Sequence, residues 1–426
     1  MGTEGNGGGA NARPPAHSRQ DISLRGEGAR MDRRAFLSAL ALGALGGCAA
    51  APPETLSWHP RRTLAPLSED PTSSPPNIPI VDFHTHLQRR VTAERLAQLQ
   101  DQARVSRMVL MPLYYGDRPG FSINDGEGSD EQAAEYARRY PDRFMPFVGM
   151  QRSELGNAAV WGGRTPNGAL LLRETEAKLR SGEFFGMGEF MLRFYPYTNR
   201  WGIVAPSEMR YPPFSYLMRQ FADLSARYRA PMVIHCEAEP EYAEEMRRLA
   251  EAHPEATLVW AHNCGRSSAE VITAMLERFP NLHADLGGMV YSGPQAQAYG
   301  QYWPRRTPWM HLVVDEFGIL APDMRAMFER FSDRFVIGTD IAHARVYDAY
   351  AGHWPRWRSF LLQISPAAAH RIAYQNAERF FRPASLSSPG ATPTRFPPST
   401  PALTLSSTGA SLPPSVAEAS VDRNGC

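Results

Sequence analysis

Apolar positions between Ile78 and Arg382 follow two patterns that alternate along the chain. Short, nearly continuous apolar runs predict strands buried on both faces, and longer stretches with helical periodicity separate most of them. The predicted strands are the opening run at Ile78 and those at Val105–Met111, Phe144–Met150, Phe184–Phe190, Met232–Cys236, Leu258–Ala261, Leu282–Leu286 and Phe335–Ile337. The predicted helices include Thr92–Gln102, Asp130–Tyr140, Leu171–Arg180, Glu241–His253 and Ala269–Phe279. Eight strands, each followed by a helical stretch, predict parallel βαβ units that close into a (β/α)8 TIM barrel of the α/β class.

The two ends of the chain show neither pattern, so we expect disordered N- and C-terminal tails. Residues 1–30 are rich in Gly, Arg and small polar residues and are predicted to be disordered or untranslated, with Met31 as the true start in the second case. Residues 383–426 are dominated by Ser, Pro, Thr and Ala and are predicted to be a disordered tail. Residues 49–77 are predicted to form a Pro-rich linker, which leaves residues 78–382 for the barrel.

Residues 31–48 have the order of an export signal: a charged start, a short apolar run over Ala35–Leu45, and small residues before Cys48. Arg33 and Arg34 resemble the start of a twin-arginine signal, and the stretch LGGC resembles a bacterial lipobox whose cysteine, Cys48, is lipidated. The apolar run is too short to span a bilayer. We therefore expect a periplasmic or cell-envelope lipoprotein that meets the membrane through a lipid anchor only.

The nearly equal numbers of basic and acidic residues limit the classes of binding partner that we expect. The 426 residues carry 45 basic and 44 acidic side chains, so net charge gives no reason to expect a nucleic-acid partner, and a small-molecule substrate is the simpler expectation. Four scattered cysteines do not form a disulfide framework or a zinc ribbon. Nothing in the composition decides whether the protein forms an oligomer.

Polar side chains stand where the apolar runs of the predicted strands end, and this is where a TIM barrel carries its catalytic residues. These residues are His84 and His86 after the first strand, Glu189, His235, His262, Asp285 and Asp340. His84 and His86 lie two positions apart, so they share one face of a strand. Imidazole and carboxylate are ligands for Zn²⁺ and related divalent ions, so the pattern predicts a metal site at one end of the barrel.

The motifs VDFHTH, MVIHCE, LVWAHNCG, HADLGG, FVIGTD and NAERFF together resemble the amidohydrolase-related branch of the amidohydrolase superfamily, over nearly all of residues 78–382. The resemblance implies a divalent ion, zinc by expectation, held by His84, His86, His235 and Asp340. It also implies that Asp340 accepts a proton from the attacking water, and that His262 orients water or polarises the substrate. One ion per chain is favoured over two.

Glu189 has three interpretations: a carboxylate that bridges two ions, a substrate contact, or a group satisfied by the barrel interior. Relatives that bridge two ions use a glutamate or a carboxylated lysine from the fourth strand. Lys178, the only lysine, lies eleven residues before Glu189 in a predicted helix, which argues against the lysine form.

Candidate substrate contacts are less specific. Arg266, in the loop after the sixth strand, suits an anionic substrate group, although a solvated arginine is an equal interpretation. Asp285 and His343 are placed near the barrel mouth, and the aromatic stretches Met191–Pro213 and Tyr291–Pro308 suit a pocket for a planar group or plain loop packing.

The leading hypothesis is a metal-dependent hydrolase that attacks an amide, a lactone or a related carbon centre with activated water. The alternatives are nonoxidative decarboxylation of an aromatic acid at the same site, a binuclear phosphodiesterase, and a lipoprotein that binds metal or ligand without turnover.

Overall fold

The structure is a computed structural model that describes residues 59–67, 77–114, 128–163, 165–195, 208–290, 309–315, 317–342 and 344–382. The expected export signal with Cys48, both expected tails and His343 lie outside these ranges. Within the described residues, every helix is too short or too polar to cross a membrane.

The sheet is built from short, almost entirely buried strands. They are β1 (Val81–Asp82), β2 (His86–Leu87), β3 (Arg107–Pro112), β4 (Phe144–Gly149), β5 (Gly186–Phe194), β6 (Met209–Arg210), β7 (Met232–Cys236), β8 (Leu258–Trp260), β9 (Leu282–Asp285) and β10 (Phe335–Val336). Neighbours pair in the order β1, β3, β4, β5, β7, β8, β9, β10, and each of these pairs is parallel. β2 continues the first strand beside β3, and β6 pairs antiparallel with the end of β5.

Backbone hydrogen bonds join the last strand to the first and so close the barrel. The amide of Phe83 donates to the carbonyl of Ile337 over 2.9 Å, and the amide of Asp340 donates to the carbonyl of His84 over 2.8 Å. Thr85 and Ile341 form a further parallel bridge. The predicted (β/α)8 barrel is therefore confirmed, with β1 and β2 acting as one interrupted strand.

The helices follow the strands along the chain, and the last three come after β10. They are α1 (Ala93–Ala103), α2 (Asp130–Arg139), α3 (Ala158–Trp161), α4 (Pro166–Arg180), α5 (Tyr216–Tyr228), α6 (Pro240–Ala252), α7 (Ala269–Arg278), α8 (Pro322–Arg330), α9 (Tyr350–Leu361), α10 (Pro366–His370) and α11 (Asn376–Phe381). Side-chain caps explain several starts: the hydroxyls of Thr92, Ser129 and Ser268 each accept from a backbone amide of the first helical turn. α4 begins five residues before the predicted helix because Thr165 caps it and Pro166 suits its first position.

The segment His59–Leu67 packs on the barrel, at the end where the strands begin. The buried guanidinium of Arg61 donates to four carbonyl oxygens: those of Phe185 at 3.1 Å, Phe380 at 2.8 Å, Tyr228 at 2.8 Å and Arg229 at 2.6 Å. These carbonyls belong to three separate parts of the chain. Arg61 therefore ties His59–Leu67, which lie within the predicted linker over residues 49–77, to the barrel.

The fourth barrel strand is longer than predicted. β5 runs to Phe194, so Glu189 lies in the middle of the strand and not at its end. The reason is that the end of β5 pairs on both sides: Arg193 pairs with Cys236 of β7, and Arg193 and Phe194 pair with β6.

Candidate metal centre

The first strand supplies two histidines to the centre of the barrel mouth. His84 follows β1 and His86 opens β2, and their Nε2 atoms lie 3.2 Å apart. Both side chains are buried. Two imidazole nitrogens this close, pointing at the same space, are arranged as ligands of a shared cation.

Glu189 occupies the middle of the cluster and is buried. Its Oε1 lies 3.6 Å from His84 Nε2, and its Oε2 lies 3.5 Å from His86 Nε2. Burial by itself raises the pKa of Glu189, but the electrostatic effect of His84 and the contacts with His235 and His262 outweigh burial and hold the pKa well below its usual range. The carboxylate is thus ionised although it is buried, and its burial must be compensated by hydrogen-bond donors or cationic partners.

The fifth and sixth barrel strands supply a second pair of histidines on the other side of Glu189. His235 Nδ1 lies 2.8 Å from His262 Nε2, and these two nitrogens lie 3.1 Å and 3.2 Å from Glu189 Oε1. His84, His86 and Glu189 thus form one group that could hold a metal, and Glu189, His235 and His262 form another. Glu189 belongs to both.

Asp340, after β10, closes the ring on the side of the first histidine pair. Its Oδ1 lies 3.5 Å from both His84 Nε2 and His86 Nε2. Its side chain is 23% exposed, whereas that of Glu189 is 3% exposed, so Asp340 is the carboxylate of the ring with access to solvent. Its backbone has a left-handed φ of 54°, a conformation that aspartate tolerates better than most residues.

Hydrogen bonds behind the histidines decide which ring nitrogen faces the centre. His84 Nδ1 contacts Asp285, and His262 Nδ1 lies 2.8 Å from the carbonyl of Gly287. His235 is turned the other way round, with Nε2 3.2 Å from Glu237 Oε1. A neutral imidazole that donates from one nitrogen offers a lone pair at the other, so three of the four histidines are set to ligate with their inward nitrogen. The donor set therefore fits a divalent metal ion.

The structure brings together six of the predicted site residues: His84, His86, Glu189, His235, His262 and Asp340. It places the predicted substrate contacts differently. Asp285 is fully buried behind His84, and its second oxygen accepts from the amide of Gly287 over 2.6 Å, so neither oxygen is left for a substrate. Arg266 is not a solvated loop residue, because it is 1% exposed and pairs with Glu237.

Three contacts near the centre were not foreseen. Glu237 lies two positions after His235, and the alternation that paired His84 with His86 would have placed it on the same side. Gln151 donates from Nε2 to Glu189 Oε2 over 2.8 Å, and it has no sequence signal beyond its position after β4. Asp82, the last residue of β1, accepts hydrogen bonds from the amide of Thr339 and the hydroxyl of Tyr350.

Comparison with known proteins shows the family of the chain. A family model described as amidohydrolase matches residues 81–382. The chain belongs to the amidohydrolase family. No match was found among curated proteins.

Solved structures similar to this amidohydrolase are distant in sequence. An uncharacterised TIM-barrel protein from Bordetella bronchiseptica is 16% identical, with 71% of this chain and 98% of that chain covered and a TM-score of 0.44. A probable 2-pyrone-4,6-dicarboxylic acid hydrolase from Acinetobacter baumannii is 14% identical, with 71% and 98% covered and a TM-score of 0.40. A dihydroxybenzoic acid decarboxylase from Polaromonas, with bound manganese, is 14% identical, with 71% and 97% covered and a TM-score of 0.41. At this distance, the reactions of these proteins say nothing about the reaction of this chain.

Proposed function

We propose that this amidohydrolase is a metal-dependent hydrolase that uses activated water to attack an amide, a lactone or a related carbon centre. The observation that carries the proposal is the convergence of four imidazoles and two carboxylates from five barrel strands on one buried space with a solvent-exposed edge at Asp340. Membership of the amidohydrolase family supports a catalytic role for that centre.

The residues that would hold an ion fall into two sets. His84, His86 and Asp340 surround one position, His235 and His262 the other, and Glu189 contributes to both. A bound divalent ion supplies Lewis acidity, which polarises a carbonyl and makes water nucleophilic near neutral pH. Zinc is the proposed ion because imidazole nitrogens and carboxylate oxygens are its usual protein ligands.

The proton-transfer role is proposed for Asp340. It is the most exposed carboxylate of the ring, so it can meet a water molecule and a substrate in the barrel mouth. In this role Asp340 accepts a proton from the attacking water and returns it to the leaving group. His262 is held by Gly287 with Nε2 toward the centre, where it either ligates an ion or polarises the substrate carbonyl.

A second candidate, a two-ion phosphodiesterase, is favoured by one observation: Glu189 lies between two histidine pairs, as a bridging carboxylate must. Two ions held by these residues would stabilise both the attacking and the leaving oxygen of a phosphodiester. A measurement of the number of ions per chain therefore distinguishes the single ion that the sequence favours from the two ions that this geometry could hold.

The test is elemental analysis of protein purified without added metal, combined with turnover of a substrate panel. We expect bound zinc in the wild type, loss of an ion in His84→Ala, and unchanged ion content in the remote control His253→Ala. Asp340→Ala should abolish turnover while leaving the circular dichroism spectrum unchanged. The panel contains an amide, a lactone, a phosphodiester and an aromatic carboxylic acid, so that decarboxylation is also detected. Wild-type turnover by Asp340→Ala, or a folded wild type without metal, would overturn the proposal.

We further propose that the protein is exported as a lipoprotein. The proposal is supported by the charged start at Met31, the adjacent Arg33 and Arg34, and the short apolar run that ends at Cys48. A reporter fused to residues 31–50 should reach the cell envelope, and Cys48→Ser should release it from the membrane fraction. Retention of the reporter in the cytoplasm would refute export.

A further inference from the structure

A buried ion pair lies directly behind the one histidine that faces the centre through Nδ1. Glu237 and Arg266 are each 1% exposed, and the guanidinium NH1 of Arg266 contacts Glu237 Oε1. The same Oε1 lies 3.2 Å from His235 Nε2. One carboxylate oxygen therefore joins the arginine to the imidazole.

The contact between Glu237 and His235 determines the tautomer and the ring orientation of His235. When Nε2 donates to Glu237, the neutral imidazole keeps its lone pair on Nδ1. That Nδ1 is the atom 3.1 Å from Glu189 Oε1 and 2.8 Å from His262 Nε2. Without an acceptor behind the ring, the other tautomer, or a flipped ring, would remove the lone pair from the centre.

The backbone conformation before Arg266 brings its side chain into contact with Glu237. After β8 the chain keeps a left-handed conformation from His262 to Arg266, with φ between 54° and 66°. A Cβ atom on Gly265 would lie 2.1 Å from the carbonyl oxygen of Cys236, so only glycine allows the segment to lie against the end of β7. The carbonyl of Gly265 also accepts from the amide of Ala238 over 3.1 Å.

The support behind His235 differs from that behind the other histidines. His84 rests on the carboxylate of Asp285, and His262 rests on a neutral carbonyl. At His235 a buried carboxylate is compensated by a buried arginine, and such a pair is costly to desolvate compared with apolar packing. The presence of the Glu237–Arg266 pair behind His235 therefore indicates that the pair positions the imidazole and does not only stabilise the fold.

We propose that Glu237 and Arg266 act as a charge clamp: positioning residues that hold His235 with Nδ1 toward the ion position formed by Glu189, His235 and His262. The inference rests on the proposed metal-dependent function. Arg266 compensates the charge of Glu237 and fixes its carboxylate, and Glu237 fixes the ring. Arg266 is thereby assigned to the metal centre and not to a substrate anion.

The test replaces the pair as a unit, because removing one partner would leave a buried charge and could unfold the protein. The double variant Glu237→Leu/Arg266→Met keeps the volume and removes the acceptor. Glu237→Gln/Arg266→Met keeps an acceptor for His235 Nε2 without the charge. Asp348→Asn/Arg95→Met removes an exposed pair and serves as the matched control. His235→Ala identifies the ion that His235 ligates.

Each protein is stripped of metal and titrated with Zn²⁺ against a chromophoric chelator, and its fold is followed by circular dichroism. We expect Glu237→Leu/Arg266→Met to weaken the ion that His235 ligates by about 10–100-fold, as loss of an outer partner does elsewhere. The glutamine variant should recover most of that affinity, and the control should equal the wild type. Wild-type affinity in the leucine variant, or no effect of His235→Ala, would overturn the clamp.

A second readout does not need metal. Nitrogen-15 spectra of histidine-labelled, metal-free protein at pH 8 should show His235 protonated at Nε2 in the wild type and a mixture of tautomers in the leucine variant. If the wild type binds no metal but shows this tautomer, the proposed function fails while the clamp stands. If metal binds and the tautomer is the same in both proteins, the clamp fails and the function stands.

Discussion

Replacing Arg61 by methionine should destabilise the barrel although Arg61 lies at the end of the strands opposite the metal centre. The side chain makes four hydrogen bonds to carbonyls from three parts of the chain, and its exposed fraction is 7%. Methionine preserves most of the volume and removes every one of these bonds. The variant thus isolates the polar contribution of the segment His59–Leu67.

The magnitude follows from two opposing effects. Four hydrogen bonds from a charged donor contribute about 6 kcal/mol at the low end of about 1.5 kcal/mol each. Burial, with a smaller effect from the charge of Arg229, lowers the pKa of Arg61 from 12.5 to about 10. That lowering corresponds to roughly 3 kcal/mol spent on keeping the charge. We therefore expect Arg61→Met to lower the free energy of unfolding by about 3 kcal/mol.

The assay is urea unfolding followed by tryptophan fluorescence at neutral pH. The matched control is Arg173→Met, because Arg173 is exposed on α4 and should change the free energy of unfolding by less than about 0.5 kcal/mol. An Arg61→Met protein that unfolds at the same urea concentration as the wild type would refute the reasoning. It would show that His59–Leu67 does not stabilise the barrel in solution.

Three further outcomes are expected. Asp285→Asn should weaken zinc binding by about 10–100-fold in a chelator competition, because His84 loses its buried carboxylate partner; unchanged affinity would contradict that contact. Gln151→Leu should lower turnover by about tenfold with normal metal content, since Glu189 loses a donor but keeps its histidines; loss of metal would show a larger role. Lys178→Met should lower the free energy of unfolding in urea by only about 1 kcal/mol, because Asp130, with which Lys178 pairs, keeps Arg152 as a second cation. An unfolding midpoint equal to that of the wild type would argue against the pair of Lys178 and Asp130.

The barrel could be predicted because its signal is local. A run such as MVIHC is apolar on both faces and ends on a polar residue, and this pattern needs no knowledge of distant segments. Helix starts were also readable where a capping hydroxyl stands first, as at Thr92 and Ser268. The length of β5 was not, because its last residues extend the strand by pairing with β6 and β7, which follow later in the chain.

The residues of the metal centre were likewise visible at strand ends, but their partners were not. His84 and Asp285 are 201 positions apart. Only closure of the barrel brings Asp285, on the seventh barrel strand, into contact with the imidazole of His84, on the first. The same holds for Arg266, which the sequence placed in a solvated loop or a substrate pocket. A left-handed turn carries it onto Glu237 instead.

The sequence by itself determined the strand and helix order, the (β/α)8 class, and which histidines and carboxylates stand at the barrel mouth, because alternation and apolar periodicity are properties of neighbouring residues. Only the tertiary structure decided that Glu189 lies between two histidine pairs, which nitrogen each imidazole turns inward, and that Arg61 belongs to the fold. Those features depend on hydrogen bonds between segments far apart in the chain, and such bonds exist only after the sheet has closed.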